Sequence, residues 1–247
     1  MSLQDYHIHT NFSPDCEMEP EVAVKLAIER GMTDICFTDH MDLGHATEEF
    51  NRVPDFEEMK RNVQELQAKY PQIQIGHGLE LGYMRESVEE CVEAMSGHLF
   101  DYVLLSVHCV DGIDCYYPEA TQGRDKQTMY RRYLETVLES VKEKRLLKYY
   151  DCVGHIGYIS KCHHYEENSL TYEMFPELID EILTTIIRNG KGIEINTSGI
   201  DKVGHVLPHP SIVQRYIELG GTIITMGSDA HTPERVGKYI NEITDKI

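Results

Sequence analysis

A parallel α/β barrel of seven strand–helix units is the fold that this 247-residue sequence predicts. Three observations carry the prediction. Short apolar or β-branched runs alternate with longer segments of helical period, the pattern of right-handed β–α–β crossovers and so of a parallel sheet. Seven such units follow one another along the chain. His, Asp or Glu stand at or just past the C-terminal end of six of the seven strands, the rim where parallel α/β sheets build their sites. An open doubly wound sheet is the commoner outcome of β–α alternation, but it would spread these residues across its width. Their convergence on one point favours closure.

Each strand run is four to ten residues long and bounded by Gly, Asp or polar residues, which suits buried strands. Residues 5–9 form the first. A helix then starts at Pro20, whose missing N–H suits the first helical position, and ends before Gly31. Strand 34–38 leads to Phe56, Met59, Val63 and Leu66, spaced to share one helix face. Strand 72–81 is followed by Val88, Cys91, Val92 and Met95, and strand 101–108 by Tyr130, Tyr133, Leu134, Val137, Leu138 and Val141. Strand 152–156 precedes the stripe Leu178, Ile179, Ile182, Leu183, Ile186 and Ile187, closed by Gly190. Strand 192–196 precedes a helix closed by Gly220. After strand 222–227 a last helix is expected from Pro233, with Thr232 as N-cap and Val236, Tyr239, Ile240 and Ile243 facing inward. Residues 1–247 are read as a single domain.

Hydrophobic residues make up 41% and charged residues 26%, as in ordinary globular proteins. No apolar run reaches the ~18 residues of a membrane span. The start, MSLQDYHIHT, has neither a basic nor an apolar signal region, so a cytoplasmic location is expected. Seven Cys, an odd number without a CxxC, read as reduced thiols packed in the core rather than a zinc knuckle. The net charge of −19, with no basic stripe, argues against nucleic acid as a partner. It leaves room for a small anion, because divalent cations can invert the sign of one pocket. There is no P-loop, HExxH or GxSxG, and Gly76-His77-Gly78 lies inside a strand rather than opening a helix.

Thirteen His are the unusual feature. His7 and His9, two apart on a strand, point the same way and can reach one ion. Thr38-Asp39-His40 ends the second strand, Glu80 the third, His108 the fourth and His155 the fifth, and Asp229 and His231 follow the seventh. His77 falls on the opposite side of its strand from Glu80, His98 lies near a helix end and His45 in a loop, and none is given a site role. His163, His164, His205 and His209 lie in β–α loops and are not counted as ligands.

This set resembles the polymerase-and-histidinol-phosphatase (PHP) family: HxH at the first strand, TDH at the second, Glu at the third, single His at the fourth and fifth, and D-x-H near the end. The resemblance spans essentially the whole chain. It implies a distorted (β/α)7 barrel holding three divalent transition metals, and mixed His and carboxylate donors suit Zn, Fe(II) or Mn. It implies His7, His9, Glu80 and Asp229 around one ion, with Glu80 bridging to a second held by His108 and His155. Asp15, His40 and His231 would hold the third, with Asp15 standing where the family often carries His.

Within the family the chain is most similar to the subgroup that hydrolyses L-histidinol phosphate to L-histidinol and phosphate in histidine biosynthesis. The similarity lies in Gly154-His155-Ile156-Gly157-Tyr158-Ile159-Ser160-Lys161 and in Glu194-Ile195-Asn196-Thr197-Ser198-Gly199-Ile200-Asp201-Lys202. The subgroup's phosphate-binding cations fall on Lys161, where Arg is preferred, and on Lys202; Gly157 stands where Asp is common. The resemblance thus implies a phosphomonoester hydrolase acting on a small anionic ester, with Asp229, His231 and Glu80 as catalytic residues. Asp229 would carry a proton to the leaving alkoxide, and Asp39 would support His40. A PHP phosphoesterase for a nucleotide or sugar phosphate, an exonuclease, and a metal-binding protein without catalysis are the alternatives. The acidic charge disfavours the exonuclease, and the complete ligand set disfavours the non-catalytic reading.

Overall fold

Each of the seven apolar runs becomes one strand, and the strands pair in chain order because each crossover returns the chain to the next position of a parallel ladder. The computed structural model describes residues 3–162 and 165–244. The strands are β1 (Gln4–Ile8), β2 (Asp34–Phe37), β3 (Gln74–Gly82), β4 (Tyr102–Ser106), β5 (Cys152–Val153), β6 (Gly192–Asn196) and β7 (Ile224–Gly227), all parallel. Past the end of β7, Ala230 bridges Ile8 of β1 in parallel, and the His9 N–H donates to the Ala230 carbonyl at 2.9 Å. The sheet is therefore a nearly closed seven-stranded barrel.

The helices α1 (Pro20–Glu29), α2 (Phe56–Lys69), α3 (Val88–Met95), α4 (Lys126–Lys142), α5 (Pro176–Arg188), α6 (Gly199–Val203) and α7 (Pro210–Glu218) lie in the crossovers, and α8 (Ile240–Thr244) follows the last strand. The apolar stripes read from the sequence are the buried faces: Phe56, Met59, Val63 and Leu66 in α2, and Ile179, Ile182, Leu183 and Ile186 in α5. Asp55 and Asp125 cap α2 and α4 by accepting from the N–H groups of Glu58 and Thr128. Gly31, Gly190 and Gly220 adopt the left-handed conformation expected of glycines after helix ends. All seven Cys are unbridged, and six are buried. No helix among the described residues is long and apolar enough to cross a membrane.

Three elements depart from expectation. The fifth strand ends at Val153, so His155 lies past it. Its N–H is taken by the Glu194 carboxylate at 2.7 Å rather than by a ladder partner. The second strand is continued by a two-residue strand, His40–Met41, that sets His40 beside Glu80 of β3. The closing helix does not start at Pro233. Pro233–Arg235 makes one 3-10 turn, and left-handed backbone at Gly237 (φ 65°) and Tyr239 (φ 66°) delays α8 to Ile240.

The barrel wall leaves no room at Gly78 in β3. A Cβ there would lie 2.7 Å from the Tyr102 carbonyl and 2.8 Å from the Phe37 carbonyl, the backbones of both neighbouring strands. Neither can yield without breaking a ladder. Gly78→Ala is expected to cost at least about 1–3 kcal/mol, which lowers the melting temperature by about 2–4 °C per kcal/mol at this chain length. Scanning calorimetry checks this, and an unshifted transition would contradict the close strand approach.

Candidate metal centre

The C-terminal ends of the strands bring the ligand-type residues to one buried focus. The two oxygens of Glu80, which is fully buried in β3, face two groups of imidazoles. Oε2 has Nε2 of His7 at 3.2 Å, Nε2 of His9 at 3.4 Å and Nδ1 of His40 at 3.1 Å. Oε1 has Nε2 of His155 at 2.9 Å and of His108 at 3.2 Å. Asp229 Oδ1 lies 3.7 Å from His7, 3.5 Å from His9 and 3.6 Å from His231. At the outer edge Asp15 Oδ2 reaches Nε2 of His231 at 3.1 Å and of His40 at 3.7 Å. All nine predicted ligands are brought together, and Asp15 is the most exposed of them.

These contacts suit cations better than they suit one another. His7 and His9 bring their Nε2 atoms to 3.0 Å, and His108 and His155 bring theirs to 3.4 Å. Nitrogens about 2.0–2.1 Å from a shared ion would sit at such a spacing. Oε2 of Glu80 is buried and has no hydrogen-bond partner among the described residues, though three imidazoles face it. Four triads of donor residues, each with ligand atoms within 4.8 Å of one another, overlap here: His7/His9/Asp229, His7/Glu80/His155, His40/Glu80/His108 and His9/His40/His231. The donor set fits divalent ions.

The electrostatics agree. Burial raises the Glu80 and Asp229 carboxyls, but His7, His108 and His40 around Glu80, and Lys161 and His7 around Asp229, hold both well below the usual range. Burial opposes charge on His7 and His108 as well. Glu194, Glu80 and Asp229 nevertheless push His7 well up, as Asp42 and Glu80 do His108. His9 goes the other way, lowered by burial and by His231 and His40. The ionised carboxylates call for positive charge among these imidazoles, which a proton or a divalent cation can supply.

Outer contacts aim the rings. Glu194 Oε1 accepts from Nδ1 of His7 at 2.7 Å, and Asp42 Oδ1 accepts from Nδ1 of His108 at 2.8 Å. Each leaves Nε2 for the focus. Asp39 acts on His9 rather than on the His40 ring. It accepts from the Ser13 hydroxyl at 2.7 Å, which lies 3.0 Å from Nδ1 of His9 and takes the His40 N–H. Glu194, Asp42 and Ser13 are absent from the sequence-based site. The available signal for Glu194 was a charged residue between Ile193 and Ile195 in a buried strand.

A cavity of about 540 Å³ opens over the centre. Lys161 and Lys202 both line it. Lys161 Nζ lies 2.5 Å from Asp229 Oδ2, while Lys202 on α6 is exposed and has no ion-pair partner among the described residues. Phe50, Tyr116, Tyr117 and Tyr158 form an aromatic wall. His45, given no site role from the sequence, also lines the cavity, with Nε2 3.2 Å from Asp114. His77 is buried against Phe100, and His98 lies beside Glu57, both outside the centre. His205 and His209 face each other, ring centroids 4.6 Å apart, and do not line the cavity. His163 and His164 lie outside the described residues.

Residues 5–198 match the PHP domain family. A protein of Clostridium acetobutylicum named "Probable histidinol-phosphatase" is 32% identical over 94% of this chain and 88% of its own length. The histidinol-phosphatase of Lactococcus lactis subsp. lactis is 31% identical over 95% of this chain and 86% of its own. The crystal structure of the histidinol phosphate phosphatase of Lactococcus lactis subsp. lactis, complexed with zinc, L-histidinol and phosphate, matches with a TM-score of 0.88 at 29% identity. The match covers 99% of this chain and 92% of that one.

Proposed function

The chain belongs to the PHP domain family, and from that membership we propose that it is a metal-dependent phosphomonoester hydrolase converting L-histidinol phosphate and water to L-histidinol and phosphate. The observation that carries the reading is the clustering of nine His and carboxylate side chains, the buried Glu80 at their centre, beneath a cavity edged by Lys161 and Lys202. The likeness to relatives that act on histidinol phosphate, one of them solved with zinc, L-histidinol and phosphate, supports the substrate. A cavity of about 540 Å³ is within the range of small-molecule sites, about 300–1,000 Å³. We place the enzyme in the cytoplasm, in histidine biosynthesis, with residues 1–247 acting as one domain.

His7, His9, Glu80 and Asp229 would hold one Zn, Fe(II) or Mn ion, Glu80, His108 and His155 a second, and Asp15, His40 and His231 a third. When bound, such ions supply hydroxide near neutral pH and neutralise charge on the phosphoryl oxygens. The chain does the rest. Lys161 and Lys202 pair with the outer phosphoryl oxygens. Asp229, held ionised beside Lys161, takes up the proton that water loses in becoming hydroxide and passes it to the leaving alkoxide, and His231 fixes Asp229 by donating to its carbonyl at 3.1 Å.

Phosphate release is to be measured from metal-loaded protein with L-histidinol phosphate, nucleotide monophosphates, sugar phosphates and oligonucleotides. Histidinol phosphate is expected to give the highest kcat/KM. A nucleotide or sugar phosphate turned over faster would replace it as the substrate.

Lys202 has a separate test. A solvated rim charge is worth little, but one paired with phosphate in a closed pocket is worth more. Lys202→Ala is expected to raise the inhibition constant of inorganic phosphate roughly tenfold, about 1.4 kcal/mol, with metal content unchanged. Lys161→Ala is expected to do the same. Unchanged constants in both variants would leave phosphate to the ions alone.

A further inference from the structure

The sixth strand is the one barrel strand whose end supplies no metal-ligand residue, yet it carries a fully buried carboxylate, Glu194. Both of its oxygens are acceptors in use. Oε1 takes Nδ1 of His7 at 2.7 Å and Nδ2 of Asn196 at 3.1 Å. Oε2 takes the backbone N–H of His155 at 2.7 Å. His7 and His155 belong to strands on opposite sides of β6 in the barrel order, so one carboxylate ties together ligands that approach the focus from two directions. The connection runs on. Asn196 Oδ1 accepts from the Ser198 hydroxyl at 2.6 Å, and that hydroxyl lies 3.1 Å from Asp229 Oδ2.

The barrel makes room for this group. A Cβ on Gly227 would lie 2.1 Å from Glu194 Oε1 and 2.4 Å from the His7 Cβ, and one on Gly154 would lie 3.6 Å from Oε2. Gly227 is therefore what admits the carboxylate, whereas a Cβ on Gly154 would only touch Oε2 and would instead meet the Ser106 hydroxyl at 2.3 Å.

We propose that Glu194 is a positioning residue that fixes the His7 ring and the His155 main chain at once, so that the ions at the His7 and His155 ends of the centre both depend on this one carboxylate. The inference rests on the metal-binding part of the proposed function and not on the identity of the substrate. Its charge matters through geometry: Gln at 194 has one oxygen, so its NH2 group must confront either the His7 Nδ1–H or the His155 N–H. One of those donors is then left buried without an acceptor.

The test is zinc binding to the chelator-stripped full chain, followed by calorimetric titration and by elemental analysis after gel filtration, without substrate. Glu194→Gln is expected to weaken two ions together by about 10–100-fold, the range seen when groups orienting a metal ligand are lost. The ion at Asp15, His40 and His231 stays near wild type, and the metal-free melting temperature falls only by the few degrees that one unsatisfied buried donor costs. Ser198→Ala, which leaves Glu194 intact, is expected to weaken the Asp229 end alone. If Glu194→Gln does not fold, Glu194→Asp takes its place: it keeps the charge, but one methylene less cannot span both partners, and the same paired loss is expected. An isotherm superimposable on wild type, or the loss of a single ion, would overturn this shared dependence. Loss of all ions with a metal-free melting temperature lowered well beyond those few degrees would reduce Glu194 to a packing role. A wild-type chain that takes up no zinc would overturn the metal centre itself, a different outcome from wild-type uptake with an unaltered variant.

Discussion

Glu80→Gln is expected to reduce turnover by at least about 10³-fold, ~4 kcal/mol in the barrier, and to lower bound metal at both ends of the centre. The two oxygens of Glu80 serve different groups: Oε2 faces His7, His9 and His40, and Oε1 faces His108 and His155. The amide is nearly isosteric but neutral, and only one of its two positions can act as a donor atom to an ion. Ser106, which donates to Oε1 at 2.7 Å, holds the side chain in the same place in either form. The change therefore tests charge and ligation rather than packing. Metal content and kcat measured on the same preparation check it. Wild-type values for both would reduce Glu80 to a core-facing strand residue.

Asp229→Asn is expected to have an effect of similar size with a different signature. Asp229 sits in the left-handed backbone region at φ 53°, where Asn is tolerated as well as Asp. The variant should therefore fold with little added strain. It removes a charge that Lys161 approaches to 2.5 Å and that faces His7, His9 and His231. kcat is expected to fall by about 10³-fold, ~4 kcal/mol, while metal at the His108 and His155 end is kept. Rapid-quench assays that separate bond cleavage from product release check where the loss lies. A kcat within a factor of two of wild type would remove Asp229 from the proton path.

Most of the barrel was legible because strands buried on both faces read as short apolar runs, and because amphipathic helices repeat at their own period. Eight of the nine ligand-type residues were legible for a related reason: a parallel barrel gathers strand ends at one rim, so sequence position predicts spatial position there; Asp15, in the loop after β1, was implied only by the family resemblance. What the sequence hid depends on contacts between distant segments. Glu194 and Asp42 act through rings 187 and 66 residues away, and no local spacing announces them. His45 lines the cavity beside Asp114, 69 residues on in the short hairpin after β4 (Cys109–Val110 with Ile113–Asp114), a contact that no local spacing shows. The shortened fifth strand has the same origin, since a side chain of β6 captures the His155 N–H. The late start of α8 turns on left-handed backbone at Tyr239, where the periodicity of Val236, Tyr239, Ile240 and Ile243 suggested an unbroken helix.

The central claim is that these side chains form one multinuclear metal centre. Elemental analysis of gently purified, metal-replete protein, with metal counted per chain after removal of free ions, tests it most directly. The account predicts a value approaching three transition-metal ions per chain, and a value of one or less would contradict it.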